Sequence, residues 1–308
     1  MASSAGSADP RHAVRHAGTS LSPAVIEAVA GLSAGSMATL VVHPLDIVKT
    51  RMQNGVRPST LNVMRGLVQS PQPIAAMYRG LTPNLLGNGT SWAAFFFFKS
   101  RLEGALKTLQ SKPVLSASDY FVASGLAGVG VQVLTNPLWV LKTRMLSSDR
   151  HAQGAYPSMW AGARHVWREE GVRGFYRGLG VSLIGVSHGA VQFAVYEPLK
   201  RWVALSSLRQ PGDAPSTRET LVVSTLSKLV AGAVTYPYQV VRSRLQNYDA
   251  EARFGRGLVG VSLQLWRDDG PRGFYRGLVP SVVRVMPATW VTFLVYENIK
   301  HRLPQWLS

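Results

Sequence analysis

Apolar stretches of helical length recur along the chain, and they recur three times in the same order. Residues 24–43, 118–136 and 217–236 are rich in Gly, Ala, Val and Leu, and each runs into a proline, Pro44, Pro137 and Pro237. Small residues within them, such as Gly31 and Gly35 or Gly125 and Gly128, let helix backbones approach closely in lipid. The proline removes a backbone donor, so each helix is expected to kink there and continue through the basic residues beyond it. A polar stretch follows with a short amphipathic helix in its middle, carried in the second repeat by Trp160, Ala163, Val166 and Trp167. A second apolar segment then opens, at 81–98, 179–196 and 278–296, long enough to span a hydrocarbon core of roughly 30 Å. Three repeats of two spans predict six helices, an all-α membrane protein with both termini on one side.

Three sequence elements mark the period, which is roughly a hundred residues. PLDIVKTRMQ begins at Pro44, PLWVLKTRM at Pro137 and PYQVVRSRLQ at Pro237. MYRGL ends at Leu81, and GFYRGL ends at Leu179 and again at Leu278. VYEPLK at 195–200 and VYENIK at 295–300 close the second and third repeats.

Composition modifies this picture in two ways. Mean hydropathy is only +0.06, and no run of some 18 apolar residues is free of polar interruption, so hydropathy alone reads as a soluble chain. Helices that line a water-filled path, however, must carry polar residues on their inner face. The net charge is +17, with Lys+Arg 33 against Asp+Glu 16, which suits a polyanionic partner or surface. Between the proline motif and the Tyr-Arg-Gly element the three repeats hold five, seven and seven basic residues against one, three and four acids. Basic excess on one side is the mark of a membrane protein's inner face. A soluble nucleic-acid binder would mass its basic residues without repeated apolar spans, and the sequence shows the opposite. An enzyme is not indicated: His is scattered, and no paired catalytic acids, GxGxxG, P-loop or HExxH occur. With no Cys, disulfides and Cys-based metal sites are excluded. Residues 1–22, with Arg11, His12, Arg15 and His16 but no secretory core, are expected to form a disordered tail.

These motifs resemble the mitochondrial carrier family, whose repeated signature is Pro-x-Asp/Glu-x-x-Lys/Arg-x-Lys/Arg followed by a Gly-rich aromatic-basic element. The resemblance covers about residues 22–303. NPLWVLKTR, SHGAVQFAVYE, TYPYQVVRSRLQ and RVMPATWVTFLVYE are similar to the branch of mitochondrial folate and FAD carriers, with the NAD and pyrimidine-nucleotide carriers as neighbours. The resemblance implies six tilted helices in three pseudo-symmetric repeats with short matrix helices, divided as 23–112, 113–212 and 213–308. It implies transport by alternating access through a central cavity, in the mitochondrial inner membrane, with both termini facing the intermembrane space. The implied solute is anionic and nucleotide-like, FAD or folate, with NAD or a pyrimidine nucleotide as alternatives. No prosthetic group, metal or nucleic acid is expected, and the chain is expected to act as a monomer in contact with lipid, cardiolipin being the candidate on the matrix side.

The resemblance also assigns gates. The matrix gate maps to Asp46 and Lys49, Trp139 and Lys142, and Gln239 and Arg242. Only Asp46 is acidic, so one inter-repeat ion pair is expected, Asp46 with Lys142, braced by Gln53 and Gln246 but with Leu146 in the third bracing position. Lys49 and Arg242 are left within reach of a solute anion. The cytoplasmic gate maps to Tyr196, Glu197 and Lys200 and to Tyr296, Glu297 and Lys300, with Glu197–Lys300 the expected pair. The first repeat is degenerate there: Ser100 and Glu103 replace the acid and base, and Glu103 would repel Glu297 unless Lys99 or Arg101 intervenes. Ion pairs contributing about a few kcal/mol at most suit a gate that opens every cycle.

The resemblance also places the solute-contacting level seven residues beyond the repeated glycine, at Gly87 and Asn88, Gly185 and Val186, and Arg284. Arg284 lies among Val282, Val283 and Val285. A cation inside a membrane segment is costly and usually functional, and a guanidinium can grip phosphate or carboxylate as a fork; the alternative is structural pairing with a carbonyl or acid. The two glycines leave room for a flat ring. His188 and Gln192, one turn apart, can read a heterocycle edge. Lys228 offers a second cation and Trp139 a stacking face, while Trp92 and Trp290 more naturally pack or anchor at an interface.

Overall fold

The prolines act differently in the three repeats. In the computed structural model, Pro44 lies inside α1 (Pro23–Asn54) and Pro137 inside α5 (Ala117–Ser147). In the third repeat the helix breaks at Thr235, so α9 (Thr217–Val234) ends and α10 (Tyr236–Gln246) begins with Pro237 in its first turn, where a missing N–H has no partner to lose. The second spans are α4 (Leu81–Gln110), the pair α7 (Leu179–Ile184) and α8 (Ser187–Ser206), and α13 (Leu278–Trp306). The break at Gly185–Val186 departs from the expected continuous segment 179–196. Between the spans lie α2 (Thr60–Val68), α3 (Pro73–Met77), α6 (Met159–Phe175), α11 (Ala250–Phe254), α12 (Gly257–Asp269) and a 3-10 turn at Gly270–Tyr275. The structure describes residues 23–55, 59–111, 114–147, 155–206, 216–247 and 250–306. The expected tail 1–22 and the expected repeat boundaries at 112–113 and 212–213 lie outside the described residues.

Among the described residues, four segments are long and apolar enough to cross a membrane: Val29–Asn54, Ser118–Ser147, Leu179–Val203 and the stretch Gly257–Arg302 that contains α13. This corrects the soluble reading that hydropathy alone suggests. Among the spans, α4 carries Lys99, Arg101, Glu103 and Lys107, and α9 carries Arg218, Glu219 and Lys228; these charges lower their average. α1 packs against α13, α4 against α5, and α8 against α9. On α6 the packing face is not the expected one. Val166 is buried with Gly162, whereas Trp160 and Trp167 are exposed.

A ring of arginines joins the repeats at the proline-motif end. Arg51 Nε donates to the Leu146 carbonyl at 3.3 Å, Arg144 Nε to that of Gln246 at 3.0 Å, and Arg244 Nε to that of Gln53 at 3.0 Å. The three acceptors occupy equivalent last-turn positions, each in the next repeat. The Tyr-Arg-Gly elements repeat the arrangement. Gly80, Gly178 and Gly277 have φ of 72°, 73° and 82°, a left-handed conformation that glycine adopts without strain. Each also abuts the following repeat, so closely that a Cβ at Gly80 would lie 2.4 Å from Leu146 Cδ1 and one at Gly277 3.0 Å from the Lys49 carbonyl oxygen.

Glu170 receives Arg144 and, at 2.8 Å, Arg177, and Asp269 likewise receives Arg276 and, at 3.8 Å, Arg244. Gln72, followed by Pro73, takes this place in the first repeat, which therefore has no acid there. Burial alone would raise the Glu170 carboxyl, but the hydrogen bonds and charge of Arg144, with Arg177, outweigh it and hold it below its ordinary value of 4.5. A depressed carboxyl stabilises the fold fully above the ordinary carboxylate pKa, and that stabilisation fades as pH falls through the folded-state value. Glu170→Gln is expected to cost about 1–2 kcal/mol, reduced by the carboxylate's partial exposure. Thermal unfolding in detergent should show a lower Tm than wild type at pH 7, with the difference shrinking in acid.

Candidate solute and gate site

Where the three kinked helices converge, Asp46 is the one acid at the three equivalent gate positions, and it is buried at 3 % exposure. Its Oδ1 lies 2.8 Å from Arg284 Nε. Its Oδ2 lies 3.5 Å from Lys142 Nζ and accepts from Asn84 Nδ2 at 3.2 Å. The carboxylate therefore ties α1 to α5, α4 and α13. Sequence reasoning expected one ion pair here, and the structure has two. Arg284, 35 % exposed along its side chain, reaches the gate acid because α13 packs along α1. The contact is an ion pair by distance but not aligned as a hydrogen bond, since Nε has no hydrogen-bond partner.

Lys49 Nζ donates to Gln239 Oε1 at 3.0 Å and sits 5.5 Å above the Tyr236 ring. Arg242 Nη2 reaches Gln132 Oε1 at 3.5 Å, and its buried Nε has no hydrogen-bond partner. Lys142 lies 5.1 Å over the Trp139 ring. Gln53 Nε2 donates to Tyr236 Oη at 3.2 Å, and Gln246 Nε2 to Asn136 Oδ1 at 3.5 Å while its Oε1 accepts from Thr143 at 3.1 Å.

These contacts expose residues that the sequence reading did not single out. The side chain just before each proline reaches back to the Tyr-Arg-Gly element of its own repeat: His43 Nε2 to the Arg79 carbonyl at 2.9 Å, Asn136 Nδ2 to that of Arg177 at 3.4 Å, and Tyr236 Oη to that of Arg276 at 3.0 Å. The glutamines then brace the neighbour's pre-proline residue. Leu146 cannot, and Asn84 Nδ2 takes over, 3.1 Å from His43 Nδ1. The available signal was three hydrogen-bonding side chains, all different, immediately before three equivalent prolines.

The two glycines at the solute level are not open space. Gly87 is backed by the Trp139 ring, 3.4 Å from where a Cβ would stand, and Gly185 by Tyr238 Oη at 3.0 Å. Their missing side chains admit protein aromatics, which corrects the expected empty slot for a ring. Asn88 Nδ2 is engaged with Thr39 Oγ1 at 3.0 Å, and Val186 packs against Gly128. His188 Nδ1 lies 2.8 Å from Thr235 Oγ1, and Trp139 Nε1 donates to Thr135 Oγ1 at 3.1 Å. Gln192 is half-buried and Lys228 exposed. Trp92 and Trp290 are exposed.

At the opposite end of the bundle the expected Glu197–Lys300 pair is not formed. Lys300 Nζ lies 3.7 Å from Glu27 and 5.5 Å over the Tyr296 ring, again because α13 packs along α1 rather than α8. Glu197, Lys200 and Glu297 are exposed, and Tyr196 is half-buried. Lys99 does engage Glu103, at 3.7 Å. The proline-motif end is thus pinned by buried contacts, and the other end stands apart. Asp46→Asn should leave Lys142 and Arg284 without a counter-charge and reduce reconstituted transport at least about tenfold. Because Arg284 shares the carboxylate, the swap Asp46→Lys with Lys142→Asp should recover only a small part of that loss; full recovery in proteoliposome uptake would show that Arg284 is not coupled to the pair.

The profile of the family described as mitochondrial carrier protein matches residues 20–109, 113–207 and 213–305. The mitochondrial FAD carrier protein of Saccharomyces cerevisiae is 37% identical over 302 residues, covering 90% of this chain and 96% of that one. The Folate transporter 1, chloroplastic, of Arabidopsis thaliana is 33% identical, over 90% of this chain and 95% of its own. The mitochondrial nicotinamide adenine dinucleotide transporter 2 of the same plant is 32% identical, over 87% and 77% respectively. With three repeats matched across nearly the whole chain, this protein belongs to the mitochondrial carrier family, an all-α family of membrane transporters and not of enzymes.

Proposed function

We propose that the chain carries an anionic, nucleotide-like cofactor across the mitochondrial inner membrane, with FAD as the first candidate solute and folate the second. The observation that carries this reading is the charge at the pinned end of the cavity: Lys49, Lys142, Arg242 and Arg284 converge there with Asp46 as the one gate acid. Such a floor attracts a multiply charged anion and repels cations. The aromatic surface beside it, Trp139 and Tyr238, suits a flat heterocycle. The similarity to the FAD carrier of yeast supports the same choice, and the NAD and folate relatives support the wider class. NAD or a pyrimidine nucleotide is the second reading, favoured by the same floor and the same Trp139.

Alternating access follows from the two ends. In this reading the pinned end is the matrix gate, built on Asp46, Lys142 and Arg284 and braced by Gln53 and Gln246. The segments 196–200 and 296–300 form the cytoplasmic gate and close on each other when the matrix gate opens. Both termini then face the intermembrane space, and each repeat is a two-span unit, 23–112, 113–212 and 213–308. The protein works as a monomer, and its exposed apolar surface contacts lipid, with basic matrix-side loops suited to cardiolipin.

Purified protein in liposomes should take up labelled FAD in preference to folate, NAD and UTP, and Arg284→Ala should lower that uptake at least about tenfold. Gly185→Leu is a poor probe of ring space, because its side chain would meet Tyr238 and the Ser182 carbonyl. Uptake of none of the four solutes by wild type would end the assignment.

A further inference from the structure

We propose that Lys49 and Arg242 form the seat for the diphosphate of a dinucleotide solute, whose two negative charges stand in for the acids that the gate lacks. This rests on the transport reading above and goes further, because it fixes which part of the solute binds where and favours dinucleotides over carboxylate solutes.

Register supplies the first step. The gate positions equivalent to Asp46 are Trp139 and Gln239, so the ring has a base at every cation position, Lys49, Lys142 and Arg242, but an acid at one in three. Asp46 is spent on Lys142 and Arg284. Among the described residues, Lys49 donates to a neutral amide oxygen, Gln239 Oε1 at 3.0 Å, and lies over the Tyr236 ring, and Arg242 reaches another amide oxygen, Gln132 Oε1 at 3.5 Å. Arg242 also keeps its Nε buried and without a hydrogen-bond partner. A cation held by neutral amides rather than by its own carboxylate in a poorly hydrated setting is costly, and this is the position of both Lys49 and Arg242.

Their placement fits a two-phosphate group. Gln239 and Arg242 are three residues apart on α10, which places the amide that holds Lys49 and the base of the Arg242 side chain on one face of that helix. Like charges repel, so a dianion that bridges two cations is held more favourably than a monoanion on one. Arg284 is less available than its sequence position suggests, because the gate acid already occupies it at 2.8 Å. A dinucleotide would therefore engage Lys49 and Arg242 first. FAD and NAD carry a diphosphate; folate carries carboxylates and no phosphate.

The test supplies the missing acid from the protein. Gln239→Glu is isosteric and would pair with Lys49; Arg242→Gln removes the other arm, and Arg242→Lys keeps its charge. Thermal unfolding of detergent-solubilised protein is followed with inorganic pyrophosphate and, in parallel, orthophosphate, and FAD uptake is measured in liposomes. Pyrophosphate should protect wild type more than orthophosphate at equal concentration. Gln239→Glu and Arg242→Gln should lose that protection, Arg242→Lys should keep most of it, and the KM for FAD should rise roughly 10- to 100-fold in the first two. Equal pyrophosphate protection of wild type, Gln239→Glu and Arg242→Gln would overturn the seat, as would no protection of wild type. The outcomes separate the two readings: wild type that moves none of the solutes ends the transport assignment, whereas protection lost in both variants sustains the seat regardless.

Discussion

The closed ring of arginine-to-carbonyl contacts is the constraint on which the rest of the structure depends. Leu146, Gln246 and Gln53 lie in the last turns of α5, α10 and α1, where helix carbonyls have no partner within the helix. Arg51, Arg144 and Arg244 each donate to one of these carbonyls in the next repeat. A cation there also meets the negative end of the helix dipole. Since the third contact returns to the first repeat, three helices from distant parts of the chain are drawn to one point. Asp46, Lys49, Lys142 and Arg242, on the same helices, inherit their positions from that convergence.

Within this frame, one carboxylate is asked to serve two cations. At an effective dielectric near 20, charges about 4 Å apart attract by about 4 kcal/mol, enough to hold a gate but not to lock it. Sharing Asp46 between Lys142 and Arg284 links this end to α13, so the position of Arg284 is coupled to the ion pair between α1 and α5. The rest of this end is held by neutral hydrogen bonds, Gln53 to Tyr236, Gln246 to Asn136 and Asn84 to His43. Each is a modest net contribution of about 1 kcal/mol, so the end can open without breaking a large charge network.

The repeat period and the six spans were legible in the sequence because they are periodic, and periodicity survives substitution. The sharing of Asp46 was not legible. It depends on α13 lying along α1, and pairing between helices nearly 240 residues apart has no local signature. Lys300 illustrates the same limit, since it meets Glu27 on the adjacent α1 rather than the expected Glu197. The glycines misled for a different reason. A missing side chain reads as space in a sequence, but Trp139 and Tyr238 fill it in the structure. The pre-proline residues were hidden by chemistry: His43, Asn136 and Tyr236 share no residue class, only a reach to the same backbone carbonyl.

The scaffold is three-fold, and the site is not. At the gate acids the repeats carry Asp46, Trp139 and Gln239; at the solute level Gly87, Gly185 and Arg284; and eleven residues before the gate acids Gly35, Gly128 and Lys228. A symmetric ring of acids and bases would neutralise itself and hold any anion equally weakly. Replacing two acids by an aromatic and an amide leaves unneutralised charge on the first and third repeats and a ring surface on the second. In the proposed reading, a solute that complements this arrangement is anionic at one end and flat at the other. A small symmetrical dicarboxylate would, in that reading, leave the ring surface unused. The same reading explains how one scaffold can serve different cofactors: the contacts that build the cavity are backbone-directed and indifferent to the solute, and only the few positions that break the symmetry select it.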